Sequence, residues 1–226
     1  TFALISKIEG LASESQARGL QRQVVVKNRI KTMDESIYYK VDELFDAISR
    51  DRAIRFRYYE YTVQKTRAFR HDGKIYEVSP YALTWDDEKY YLIAFDAAAG
   101  KIKHFRVDKL AEIDVTDEKR AGRAAFENLD LGAYATSHFG MFTGEERRVV
   151  LEFKNELIDA VLDRFGLDAA IVPQDAAHFR LHASVAVSPQ FFGWLCAYGD
   201  GARIISPPEV ADSLRTYVAA IVAQYQ

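Results

Sequence analysis

The stretch IRFRYYEY, residues 54–61, decides the fold of the first half of the chain. Ile54, Phe56 and Tyr58 alternate with Arg55, Arg57 and Tyr59, and a repeat of two places the two sets on opposite faces of a half-buried strand. Before it the period is helical: Val41, Leu44, Phe45 and Ile48 recur at i, i+3, i+4 and i+7, and Phe2, Leu4, Ile5 and Ile8 lie near one face. The change of period near residue 51 marks a domain boundary. Beyond residue 61, short apolar runs are separated by turn chemistry. His71-Asp72-Gly73-Lys74 contains an Asp-Gly hairpin signal, Asp86-Asp87-Glu88 is a polar turn, and Ala97 to Gly100 is another. The spacing predicts five strands, 53–61, 64–70, 74–85, 89–96 and 101–116, the last with a break near Asp108. Strands so short and evenly spaced suit a small SH3-like (Sm-like) β-barrel better than a parallel sheet.

Periodicity fades over residues 119–146, where Gly122, Gly132, Gly140 and Gly144 accompany a run of charges, and this segment reads as a linker. From Arg147 the chain resumes as a strand, then a helix with Leu157, Ile158, Val161, Leu162 and Phe165 on one side and Gly166 at its end. Phe179, Leu181, Ala183, Val185 and Val187 alternate as a strand, and Ser188-Pro189 has the form of an N-cap and first turn. A short strand at 202–205 and an amphipathic helix from Glu209 complete a βαββαβα sandwich. The fold class is therefore α+β in four parts: a helical connector (1–51), a barrel (52–118), a linker (119–146) and a second domain (147–226).

Of the 226 residues, 49% are hydrophobic and 28% charged, an ordinary globular composition with no run long enough to span a bilayer and no signal peptide, so a cytoplasmic location is expected. The lone cysteine, Cys196, lies in FFGWLCAYG and reads as a small core residue, and Trp85 and Trp194 read as packing anchors. The net charge of −3 conceals balances of 0 over 1–51, +4 over 52–109 and −7 over 110–226. The basic segment holds seven tyrosines, and cations interleaved with aromatic rings suit phosphates and bases, although a solvated strand face has the same composition.

Catalytic signatures are missing. There is no Gly-rich phosphate loop, GxSxG, HExxH or CxxC, and His178 and His182 sit on a strand pattern where i and i+4 lie about 13 Å apart, too far to share a metal ion. No enzyme activity, cofactor or metal is expected.

YEVSPYALTWDDEKYYLIAF (76–95) followed by KHFRVDKLAEIDV (103–115) resembles the WYL domain, with Tyr90-Tyr91-Leu92 in place of the Trp-Tyr-Leu tripeptide. The aromatic strand ending in Tyr58, the Ser79-Pro80 pair and Leu83 extend the match. The region after Arg147, with Trp194-Leu195, Gly199, Ile204-Ile205 and Ser206-Pro207, resembles the C-terminal extension that accompanies such domains. Residues 1–50 resemble the connector that follows a winged helix-turn-helix, and no recognition helix is found within them. The resemblance implies a homodimeric bacterial transcription regulator whose WYL domain senses single-stranded nucleic acid or a nucleotide, and whose operator DNA is read by a winged helix-turn-helix preceding this sequence.

On KIKHFRV, Ile102, His104 and Arg106 face one way, and Lys103, Phe105 and Val107 the other. The family pattern implies Ser79, Tyr91, His104, Arg106 and Lys109 as ligand residues with Tyr58 beside them. Arg106 and Lys109 would neutralise phosphate, Ser79 and His104 hydrogen-bond, and Tyr58 and Tyr91 offer a stacking face. Arg70, just before the turn, is the cation among Arg55, Arg57, Lys65, Arg67 and Arg70 that best extends a phosphate track. Each has a structural alternative: Tyr91 as core, Arg106 paired with Asp108, His104 as a packing residue. A competing function is a protein-interaction module binding a polypeptide through exposed tyrosines.

Overall fold

The alternation in residues 54–61 becomes strand β1, Arg52–Tyr61, in the computed structural model, which describes residues 36–127 and 129–226. The face expected around Phe2, Leu4, Ile5 and Ile8 lies outside the described residues. Helix α1, Ser36–Ser49, buries Leu44 and Ala47 but leaves Phe45 57% exposed, so its apolar stripe is narrower than the i, i+3, i+4 pattern predicts. Asp51, with φ 56°, turns the chain from α1 into β1. Its carboxylate accepts from Arg120 Nε at 2.8 Å, and that bond holds its pKa below the usual range.

With β1, strands β2 (Arg67–Phe69), β3 (Ile75–Asp86), β4 (Lys89–Asp96), β5 (Lys101–Arg106) and β6 (Leu110–Lys119) form an antiparallel sheet. Its path runs β6-β1-β3-β4-β5, and β2 is a further partner of β1. A 3-10 turn, Val107–Lys109, joins β5 to β6 and is the break expected near Asp108. No pairing between β5 and β6 is present among the described residues, so the hydrogen-bonded ring of a closed barrel is not completed.

Both β2 and β3 run antiparallel to β1, so Asp72-Gly73 does not reverse the chain as its hairpin signal predicts. The reversal lies at Thr62 to Thr66, where Thr62 N–H bonds to the Thr66 carbonyl at 2.9 Å and Lys65 has φ 63°. Segment Arg70–Gly73 is instead a kink in which His71, Asp72 and Gly73 all have positive φ. Asp and Gly tolerate the left-handed region in a kink for the reason they do in a hairpin. Asp87 and Glu88, with φ 44° and 61°, make the expected β3–β4 turn. Alternate residues of the strands fill the interior with Ile54, Phe56, Leu92, Phe105, Val107 and Leu110, and Phe56 stacks on Tyr76 at 5.5 Å and meets Phe105 edge-on at 5.1 Å.

The second sheet follows the βαββαβα order read from the residues: β7 (Glu145–Lys154), α4 (Ile158–Phe165), β8 (Ala170–Pro173), β9 (His178–Val187), α5 (Pro189–Cys196), β10 (Ala202–Ser206) and α6 (Pro208–Val222). Strand order β10-β7-β9-β8, all antiparallel, is a split β-α-β arrangement. Gly166 ends α4 at φ 83°, and Ser188 Oγ caps α5 by accepting the Phe191 N–H at 3.3 Å. Val149, Leu151 and Phe153 of β7 and Phe179, Leu181 and Val185 of β9 face Val161, Phe191, Leu195 and Val210 of the helices. Trp194 packs in this core against Phe139, Phe153, Phe165 and Tyr198. Cys196 does not: the helix turns Phe191, Phe192 and Leu195 inward and leaves the thiol exposed, contrary to the reading of it as core. On the opposite face of β7, Glu152 is buried because Arg180 Nε and Arg203 Nε close over it at 3.0 and 2.7 Å.

The segment between the sheets holds α2 (Arg123–Glu127) and α3 (Leu131–Ser137), and it buries Ser137, His138, Phe139 and Met141. Arg164 of α4 reaches back over it. Its Nη2 donates to the Thr136 carbonyl at 2.9 Å, its guanidinium lies 4.1 Å from the Phe139 ring centre, and its Nη1 points to Asp86 at 3.9 Å.

Candidate functional site

Of the seven residues singled out by the sequence, five gather at one end of the sheet and two lie elsewhere. Antiparallel register sets Tyr91 directly opposite Arg106, so the two side chains share a face of the sheet. Arg106 is forked onto Asp108 two residues ahead, Nε to Oδ1 at 3.0 Å and Nη2 to Oδ2 at 2.6 Å, and this pairing raises its already high pKa. Its backbone N–H donates to the Tyr58 hydroxyl at 3.1 Å, and burial pushes that hydroxyl up to about 12. Tyr91 is only 7% exposed, and burial raises its pKa as well, so little of its ring is open to a ligand.

Around the 3-10 turn, cations and tyrosine rings interleave. Lys109 Nζ lies 4.2 Å from the centre of Tyr61 and 5.2 Å from Tyr59, Arg67 lies 4.7 Å from Tyr59, and Arg70 lies 5.9 Å from Tyr58. Tyr59 is fixed by its hydroxyl, which donates to the Asp108 carbonyl at 2.7 Å. A hydrogen bond from Arg67 pulls the Tyr61 hydroxyl below its ordinary pKa. Burial, and next the Arg106 guanidinium, press the Lys109 ammonium below its usual value. Among the described residues, Asp108 on Arg106 and Glu60 at 3.5 Å from Arg70 enter this cluster beside the cations Arg67, Arg70, Arg106 and Lys109. The positive charge sits beside the exposed Tyr61 ring and the half-buried Tyr58 ring, with Tyr59 buried against Arg67 and Lys109, an arrangement able to hold a phosphate and a planar base together.

Ser79 and His104 stand apart from this cluster. Ser79 is 5% exposed, and its hydroxyl accepts the Ala121 N–H at 2.8 Å, tying the strand to the segment before α2. Ser79→Ala is therefore expected to cost about 1 to 2 kcal/mol in a urea melt by orphaning that N–H, and to leave ligand binding unchanged. His104 turns toward α3, where its Nδ1 and the Tyr134 hydroxyl form a 3.1 Å hydrogen bond and its ring lies 5.7 Å from that of His138. Arg55 pairs with Glu77 at 2.7 Å and Arg57 with Glu112 at 3.3 Å, which makes both part of a solvated strand face. Trp85 is no packing anchor: it is 57% exposed, edge-on to Tyr90 at 4.7 Å beside the β3–β4 turn.

Sequence reasoning passed over Tyr59 and Tyr61. Their signal was available in the spacing, since Arg67 and Lys109 are the cations that a hairpin and a turn after β5 bring to the end of β1. Among the described residues, no three His, Cys, Asp or Glu side chains are grouped to hold a metal ion, and no helix is long and apolar enough to cross a membrane.

The family model of the WYL domain matches residues 40–115, the sheet that carries this cluster, and that of the WCX domain matches residues 145–222. The chain carries a WYL domain followed by a WCX domain. Among solved structures it is similar to proteasome accessory factor B/C (PafBC) of Arthrobacter aurescens, with 19% identity and a TM-score of 0.37 over 87% of this chain. It spans 28% of the length of that chain. No curated protein matches it. In the WYL domain, Tyr90-Tyr91-Leu92 occupies β4, with Leu92 fully buried and Tyr91 set against Arg106.

Proposed function

We propose that the WYL domain binds a phosphate-bearing effector, single-stranded nucleic acid or a nucleotide, on the cluster of Tyr58, Tyr59, Tyr61, Arg67, Arg70, Arg106 and Lys109. The chain is then the effector-sensing and dimerising part of a cytoplasmic bacterial transcription regulator that reads operator DNA through a winged helix-turn-helix. The observation that carries the reading is the interleaving of four cations with three tyrosine rings at one end of the sheet. An anion there would relieve the repulsion between Lys109 and Arg106 that already disfavours the lysine's charge. On this reading residues 1–51 are the dimerising connector, 52–118 an SH3-like barrel left unpaired between β5 and β6, 119–146 the linker and 147–226 the C-terminal extension. It is a sensor without catalytic chemistry, and its effector works through unequal affinity for two dimer arrangements.

The test is fluorescence anisotropy of a labelled mixed-sequence single-stranded DNA at two salt concentrations. Binding is expected to weaken as salt rises, and Arg106→Ala is expected to lose at least about tenfold in affinity and to flatten the salt dependence by about one phosphate contact. No binding by the unaltered protein would sink the reading. It would favour instead a polypeptide partner, for which the exposed Trp85 and the half-buried Tyr90 beside the β3–β4 turn are the supporting observation.

A further inference from the structure

Arg106, the cation at the centre of the cluster, has its fork filled by a carboxylate of the same chain. Asp108 takes both Nε and Nη2, at 3.0 and 2.6 Å, in the two-point geometry in which a guanidinium binds a phosphate. The contact is local, spanning two residues across the 3-10 turn Val107–Lys109, and the two side chains are one third and about one fifth exposed. It therefore lies at the surface where a ligand arrives and not in the core. The backbone on both sides is fixed independently of the carboxylate: the Arg106 N–H donates to Tyr58, and the Asp108 carbonyl accepts from Tyr59. The turn thus keeps its shape when the side-chain fork opens, and the freed carboxylate has Lys109 next to it in the chain and solvent beyond.

We propose that Asp108 is an internal stand-in for the effector's phosphate, so that the ligand binds Arg106 by exchange and Asp108 sets the affinity threshold of the sensor. The inference rests on the effector reading above and adds to it a residue that acts against binding. No covalent step is involved. One charged pair is replaced by another, and the carboxylate moves from Arg106 toward Lys109. A nucleic acid offers many phosphates to the surrounding cations and displaces the carboxylate, whereas a single weak anion does so poorly. The arrangement filters out stray anions.

The deciding variant is Asp108→Asn, which keeps the shape and an oxygen that accepts from Arg106 but removes the competing charge. Its affinity for the labelled single-stranded DNA is expected to rise about tenfold, the size of one charge-assisted contact no longer opposed, with a thermal midpoint close to that of the unaltered protein. In the Arg106→Ala background the same change is expected to give much less gain. A weaker affinity in Asp108→Asn would make Asp108 a residue that positions Arg106 for the ligand, and an unchanged affinity would make the fork a bystander; either overturns the proposal. If no protein binds the DNA, the effector reading fails, and the exchange is still read by following the Arg106 Nε–H resonance during titration with pyrophosphate. That resonance is expected to move at lower pyrophosphate in Asp108→Asn than in the unaltered protein, and coincident titrations would overturn the exchange itself.

Discussion

Gly122→Ala is expected to lower the stability of this protein by about 2 to 4 kcal/mol, measured as the shift of the urea midpoint at unchanged slope. Gly122 has φ 80°, where any side chain is strained, and a Cβ built there falls 2.2 Å from Phe95 Cγ and 2.4 and 2.6 Å from the two adjoining ring carbons. The near part of a ring attached to β4 cannot swing aside as the end of a lysine can. The backbone cannot yield either, because Ala121 N–H is held by Ser79, the Ala121 carbonyl accepts from Tyr81, and Arg120 Nη1 donates to the Pro80 carbonyl, all at 2.8 Å. Gly73 supplies the control. It has a similar φ of 78° with nothing within 4 Å of its Cβ, so Gly73→Ala should cost only the backbone contribution of about 1 kcal/mol. Equal losses at the two sites would mean that the packing of Phe95 on Gly122 contributes nothing.

The second large effect is a loss of stability in mild acid. Burial, and next the field of His138, push the His104 pKa down to about 4 from its ordinary 6.5, while a backbone hydrogen bond to Met141 works the other way. Between those two values the unfolded chain binds a proton that the folded chain refuses, so stability falls as pH drops from about 6.5 and levels off below about 4. The full difference is on the order of 3 kcal/mol for His104 alone. His138, also lowered by burial, adds in the same direction. The groups facing this pair are the Tyr134 hydroxyl, itself raised to about 12 by burial, Glu146 and Arg164, and neither Tyr134 nor Arg164 changes charge in that window. Urea melts from pH 7.5 to 4 should show the limb, and His104→Gln should flatten most of it while lowering stability at pH 7.5. A limb of undiminished depth in His104→Gln would place the acid sensitivity elsewhere.

How much of this was legible in the sequence depends on whether a residue's partners are near it in the chain. Periodicity places β1, the turn at Val107–Lys109 and the whole βαββαβα domain, because each depends on spacing over a few residues. The kink at Arg70–Gly73 was misread as a hairpin because left-handed residues serve both, and only the pairing of β2 and β3 with the same strand tells them apart. Tyr59 lies on the face that strand alternation assigns to solvent, and it is buried because Arg67 and Lys109 lay their side chains against its ring. His104 was legible as a member of a face but not as a partner of Tyr134, which comes thirty residues later in a segment without a period. The pairing of Arg106 with Asp108, weighed from sequence as an alternative to ligand binding, forms in the structure.

Arg164 gives the segment between the two sheets a consequence for how such chains are assembled from parts. It belongs to the WCX domain, yet its partners are a carbonyl and a ring in the intervening segment and a carboxylate at the end of a WYL strand. Recombination that moved a WYL domain to a new host without residues 119–165 would take Arg164 from Asp86, and Tyr134 and His138 from the His104 ring. A cut just before β7 would strand Arg164 with neither its carbonyl nor its ring. Shuffling between genes should therefore carry the two domains and the stretch that joins them as one piece of cargo.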